Sequence, residues 1–126
     1  AYVVAPKPQL IRVFVNLITN GIQAIEIQQK DQVERGETPV EGRVLICLRN
    51  SIREGYYDIV FDDNGPGVPS ENLDKLFTPN FTTKSGGTGL GLAIVKNSVL
   101  FHGGSISVKN RKSSGLEFTL TLPKAE

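Results

Sequence analysis

Asn80-Phe81-Thr82-Thr83-Lys84-Ser85-Gly86-Gly87-Thr88-Gly89-Leu90-Gly91-Leu92-Ala93-Ile94-Val95 decides how this chain is read. A basic, Thr-rich segment runs into a Gly-rich turn and directly on into an apolar helix. Glycines let backbone N–H groups converge on an anion without Cβ obstruction, and a helix start offers unpaired donors at the positive end of its dipole. The arrangement predicts a phosphate-binding turn. It is not a P-loop, which needs Lys-Ser or Lys-Thr directly after its last Gly; here Leu92 and Ala93 follow Gly91. Nor is it a dinucleotide fingerprint, which needs Gly where Leu92 stands.

The rest of the chain bounds what that turn serves. With 126 residues, 39% of them hydrophobic and 21% charged, the sequence predicts one compact domain, residues 1–126, with a real core. A net charge of +1 gives no broad field for nucleic acid or membrane, so an anion must be held by local geometry. The single cysteine, Cys47, lies in the apolar run Val44-Leu45-Ile46-Cys47-Leu48 and is expected as a core thiol, in keeping with a reducing compartment. No apolar run is expected to span a membrane, and the chain reads as a soluble fragment of something longer.

Hydrophobic periodicity predicts a helix over residues 9–29, after Pro8, with Leu10, Phe14, Leu17, Ile18, Gly21 and Ile25 as its buried arc. Asn16, Asn20 and Gln23 fall on the opposite stripe. Residues 28–42 are polar and read as a helix end and a loop. Residues 43–50 and 56–61 are β-rich and predict a hairpin, broken by Asp62-Asp63-Asn64-Gly65-Pro66-Gly67. Ser70 is expected to cap a short helix running to about Leu76. A helix over residues 89–101 should close at His102-Gly103-Gly104, and strands over 105–109 and 116–122 should pair antiparallel.

Two further constellations carry chemistry. Asp63-Asn64-Gly65-Pro66-Gly67 is ordinary turn chemistry, yet it also fixes a carboxylate at a strand end. Such a group accepts from adenine's exocyclic amino group and repels guanine's oxygen. Asn16 and Asn20 stand one helical turn apart. They suit a solvated helix face, and they equally suit Mg²⁺ on a triphosphate, which asks for one or two neutral protein oxygens.

In their order these segments resemble the ATP-binding catalytic domain of bacterial sensor histidine kinases, within the wider family of gyrase B, the Hsp90 chaperones and MutL. Residues 16–20 look like its N box, Asp63-x-Gly65-x-Gly67 its G1 box, residues 76–84 its F box and residues 87–92 its G2 box. The likeness extends to His102-Gly103-Gly104 and to Gly115-x-x-Phe118 before Leu122-Pro123. It implies a Bergerat-type α/β (α+β) two-layer sandwich, with three main helices on one face of a mixed, mostly antiparallel sheet. It also implies ATP and Mg²⁺ as cofactors. Asn20 would be the main Mg²⁺ ligand, Asn16 would contact the metal or its waters, and Asp63 would bind the adenine amino group with Gly65 and Gly67 beside the base. Gln23 and Val68 would belong to the same nucleotide site. Phe77, Phe81, Thr82, Thr83 and Lys84 would form a lid hinged at Gly86 and Gly87, with Lys84 facing the phosphates. Thr88, Gly89, Leu90, Gly91 and Leu92 would complete the phosphate turn.

Departures from the commonest family pattern include Gly21, Gln23 and Ala24 in the N box, the last two where relatives often carry Lys and an aromatic. Leu116 stands in place of a frequent Thr, and Asn80 in place of a frequent aromatic. The Gln-Ala ending and the Thr-Thr-Lys-x-x-Gly-Thr-Gly junction look like the nitrogen-regulation branch. His102 sits in a helix cap, so the resemblance implies a phosphate acceptor on a separate histidine-bearing dimerisation domain and a response regulator downstream. No nucleic acid and no direct membrane contact are expected of this domain. The expected location is cytoplasmic, which leaves room for an inner-membrane anchor elsewhere in the parent protein. An ATP hydrolase of the family would place Glu where Asn16 stands. Two readings from different classes also use such a fold: a serine kinase of the anti-sigma-factor type and a non-enzymatic nucleotide-binding module.

Overall fold

In a computed structural model, which describes residues 7–79 and 91–125, the elements follow the order α1 (Lys7–Glu34), β1 (Val44–Asn50), β2 (Tyr56–Asp63), α2 (Ser70–Leu73), α3 (Gly91–Phe101), β3 (Ser105–Asn110) and β4 (Leu116–Pro123). The strands form one sheet in the order β1-β2-β4-β3, and every described pairing is antiparallel. The parallel component expected of a mixed sheet is not found among the described residues.

Alternation along the strands decides which face is covered. In β4, Leu116, Phe118, Leu120 and Leu122 are buried, while Glu117, Thr119 and Thr121 point the other way. Ile59 and Phe61 of β2 share the inner face, where Val13 and Leu17 of α1 and Val95 and Val99 of α3 pack on them. Phe14 meets Phe61 edge-on, 5.3 Å between ring centroids. The result is a two-layer α/β sandwich with its core between the helices and one face of the sheet.

Several expectations are corrected. The first helix runs on to Glu34, because no breaker intervenes before Gly36 and the Arg35–Asp31 ion pair braces its last turn at 2.9 Å. Strand β2 does not break at Asp62; Asp62 and Asp63 still pair with Leu45 and Val44. Ser70 is not a cap: Pro69 occupies the cap position, no side chain bonds the first turn, and Ser70 is the first helical residue. The short helix α2 is a single turn, followed by i→i+3 bonds as far as Thr78. Cys47 is exposed rather than a core thiol, because β1 is an edge strand among the described residues and Leu45, Ile46 and Leu48 beside it are also about half exposed. By length and composition α1 would be long and apolar enough to cross a membrane, against expectation. Its apolar stripe instead supplies Val13, Leu17 and Ile25 to the core.

Candidate functional site

Asp63 ends β2 and is 4% exposed, an uncommon position for a carboxylate. Its Oδ1 accepts the backbone N–H of Gly65 at 2.9 Å and that of Leu116 at 3.3 Å. Two main-chain donors from separate segments thus fix the carboxyl group's rotamer. The Arg111 guanidinium donates from Nη1 to the Asp63 carbonyl at 2.9 Å, so backbone and side chain are both held. Helix α1 passes close by: a Cβ at Gly21 would lie 3.2 Å from the Asp63 Cβ and 3.5 Å from its Oδ2.

Around Asp63 lies a cavity of about 230 Å³ bounded by Asn20, Ala24 and Ile27 of α1, by Pro66, Gly67 and Val68 of the following turn, and by Leu76 and Leu116. Among the described residues its walls are mostly apolar, with Asp63 and Asn20 as the polar side chains. That is the usual build of a site for a flat, partly polar organic group. Gly65 is buried behind it, where a Cβ would come within 3.1 Å of the Asp63 Oδ1 and 3.3 Å of the Ala24 Cβ.

The sequence-predicted residues fall in different places. Asn20, Asp63, Gly67 and Val68 meet at the cavity, with Gly65 directly behind. Asn16, half-buried one turn before Asn20, and exposed Gln23 lie on α1 outside the cavity lining. Gly91 and Leu92 form the first turn of α3, and Leu92 packs on the core. Phe77 is built into the core margin, edge-on to Phe118 at 6.1 Å, with Lys96 Nζ 5.4 Å from its ring centroid. Phe81, Thr82, Thr83, Lys84, Gly86, Gly87, Thr88, Gly89 and Leu90 lie outside the described residues.

Sequence reasoning missed Ile27 as a lining residue, and at the β3–β4 hairpin tip it marked Gly115 and Leu116 but missed Asn110, Arg111 and Ser114. No local pattern marks them: Ile27 is one more apolar helix position, and Asn110, Arg111 and Ser114 lie in a polar stretch between two expected strands. Leu116, standing where relatives often carry Thr, lines the cavity with its side chain while its backbone supplies a polar contact to Asp63.

On the opposite sheet face, away from the cavity, the Asp62 carboxyl is raised above its ordinary value. Burial is the main cause, followed by the negative Glu117 across the strand pair, with Arg111 opposing.

The fold is that of histidine kinase catalytic domains. Residues 6–126 match the family described as histidine kinase-, DNA gyrase B-, and HSP90-like ATPase, and the chain belongs to that family. It is 40% identical over 119 residues to the sensor histidine kinase ZraS of Salmonella typhimurium, covering 94% of this chain and 23% of that protein. It is 34% identical over 117 residues to sporulation kinase D of Bacillus subtilis, covering 93% and 20%. The chain therefore spans about a quarter or less of the length of these curated relatives. Among solved structures it resembles the mycobacterial sensor histidine kinase MprB (TM-score 0.77, 30% identity, 97% of this chain and 74% of that one). It also resembles the catalytic domain of the histidine kinase ThkA (TM-score 0.76, 31% identity, 97% and 70%). Full-length ShkA, solved in complex with AMPPNP, is similar at a TM-score of 0.76 and 27% identity, over 98% of this chain and 23% of that one.

Proposed function

We propose that this chain is a single catalytic domain that binds ATP with Mg²⁺ and presents the γ-phosphoryl group to a histidine on a separate dimerisation domain. The observation that carries the reading is Asp63, a buried carboxylate held at a strand end by two main-chain donors and facing an apolar cavity beside Asn20. The residues fit the nucleotide. The cavity walls suit a purine, Asp63 accepts from an exocyclic amino group, and the Pro66-Gly67-Val68 backbone borders the base. Asn20, at the cavity edge, and Asn16, one turn earlier, offer neutral amide oxygens on the side where a metal-bound triphosphate would leave the pocket.

The bound Mg²⁺ supplies charge neutralisation of the phosphates. In this reading the protein's own part is positioning: Asp63 fixes the base, Asn20 and Asn16 hold the metal side, and the first turn of α3 at Gly91 and Leu92 directs backbone donors toward the phosphates. Lys84, Phe81, Thr82, Thr83, Gly87, Thr88, Gly89 and Leu90 complete that side by sequence, with Gln23 at its margin and Phe77 anchoring the base of the lid. His102 is not the acceptor. It closes the far end of α3, eleven residues or roughly 16 Å from Gly91, with Nε2 2.6 Å from the Gln9 Oε1. The natural setting is a cytoplasmic signalling kinase acting on a response regulator.

Calorimetric titration with ADP, ATP and GTP, each with and without Mg²⁺, tests the reading. Adenine-selective, Mg²⁺-sensitive binding is expected. A folded sample that binds none of them, or binds GTP as well as ATP, would overturn it.

A further inference from the structure

The tip of the β3–β4 hairpin grips the turn that follows Asp63 at several points. Arg111 bonds the Asp63 carbonyl, the Ser114 hydroxyl donates to the Gly65 carbonyl, and the Leu116 amide reaches the Asp63 Oδ1. At the far end of the turn a single side chain takes both main-chain groups of one residue: the Asn110 Oδ1 accepts the Val68 N–H at 3.1 Å, and its Nδ2 donates to the Val68 carbonyl at 2.7 Å. The carboxamide thus imitates a neighbouring strand. Gly67, between these anchor points, has φ +73°, and a Cβ there would stand 2.6 Å from the Asn110 Oδ1. Turn and carboxamide are shaped to each other.

From this geometry we infer that Asn110 is a positioning residue for the base subsite, acting through Val68. It does not line the cavity; Pro66, Gly67 and Val68 do, forming the wall that follows Asp63. Left to itself, a Gly-Pro-Gly turn whose Val68 groups faced water would sample several conformations, and binding would carry the cost of ordering it. The paired bonds from Asn110 hold the wall in one shape before the ligand arrives. The residue type is specific to the task. An aspartate would still accept from the Val68 N–H, but it would set an oxygen against the Val68 carbonyl. The inference rests on the assignment of Asp63 to the base.

The test titrates the 126-residue chain and its variants Asn110→Ala, Asn110→Asp and Asp63→Asn with adenosine and with ADP, with and without Mg²⁺. Melting of the ligand-free proteins and hydrogen exchange of the Val68 amide are followed alongside. Asn110→Ala should weaken adenosine and ADP by the same factor, about tenfold, the scale of one or two net hydrogen bonds. Asn110→Asp should weaken both at least as much. Val68 exchange should quicken in Asn110→Ala, and the ratio of affinities with and without Mg²⁺ should not move. Wild-type adenosine affinity in folded Asn110→Ala overturns the inference, as does a loss confined to the Mg²⁺-dependent part. If Asn110→Ala fails to fold, Asn110→Ser decides: its shorter side chain replaces the two-pronged carboxamide with a single oxygen, so an intermediate loss supports the role and wild-type affinity removes it. The Asp63→Asn arm separates the two assignments. Unchanged adenosine binding there sinks the base site itself, whereas loss there with none in the Asn110 variants sinks the positioning role alone.

Discussion

Replacing Asp63 by Asn changes the charge of the cavity while leaving its shape, and the structure fixes how the new amide must point. The N–H groups of Gly65 and Leu116 both converge on the Oδ1, so the asparagine must keep its oxygen there and place its NH₂ where the Oδ2 was. A flipped amide would set donors against two donors. The fold therefore keeps two acceptor bonds, and melting should shift by no more than about 5 °C, the equivalent of roughly 1 kcal/mol in a domain of this size. The ligand instead meets a donor where it needs an acceptor. Loss of a hydrogen bond to a charged group costs about 1.5–3 kcal/mol, or roughly 10- to 100-fold in Kd. ADP affinity, measured by calorimetry, should fall by that factor with and without Mg²⁺. GDP, whose base offers an oxygen to the new NH₂, should lose less, narrowing the preference for adenine. A folded Asp63→Asn protein that bound ADP as tightly as the wild type would refute the assignment.

Asn20→Ala should remove mainly the Mg²⁺-dependent part of ATP affinity; equal losses with and without the metal would rule it out as a ligand. Gly115→Ala places a Cβ 1.9 Å from the Asp63 carbonyl oxygen at a φ of +91°, so backbone strain and forced displacement together should cost about 3 kcal/mol. Melting should then fall by roughly 10 °C, and a fall under about 2 °C would contradict the packing described. The raised Asp62 value means that the fold favours the neutral carboxyl. That contribution is fully present below the ordinary value of 3.8 and is lost as pH rises through the raised one. Asp62→Asn should therefore stabilise the domain at about pH 7 and do little at about pH 3, and a benefit independent of pH would count against the Asp62–Glu117 pairing. Cys47, exposed on the edge strand, should react fully with a thiol reagent in the folded state; protection until denaturation would return it to the core.

What could be read from sequence was whatever has a local cause. The 3.6-residue stripe of α1, the β-rich hairpin and the Gly103 cap arise from neighbours within a few positions, and each is found close to where it was expected. Local pattern singled out Asp63 and Asn20 as candidates but left each open to a plain turn or a solvated helix face; only the family resemblance implied their roles, and the structure brings both to one cavity. Cys47 was misplaced because an apolar run reads alike in a central and an edge strand; the difference is set by which strand lies alongside. The grip of Asn110 on Val68 was invisible because the two are 42 positions apart, and nothing at either place announces the other.

The bond from the Leu116 amide to Asp63 spans 53 positions of sequence. The Asp63 carboxylate, proposed above to bind the base, consequently cannot be set by β2 and α1 alone, although both are made earlier on the ribosome. Until β4 emerges and closes against β2, Asp63 lacks one of its two main-chain donors and the cavity lacks its Leu116 wall. On the proposed function, competence to bind nucleotide is thus acquired only once β4 has been made, and in vitro it should return with the slow, long-range step of refolding rather than with helix formation. A fluorescent adenine nucleotide would serve as a clock for completion of the sheet.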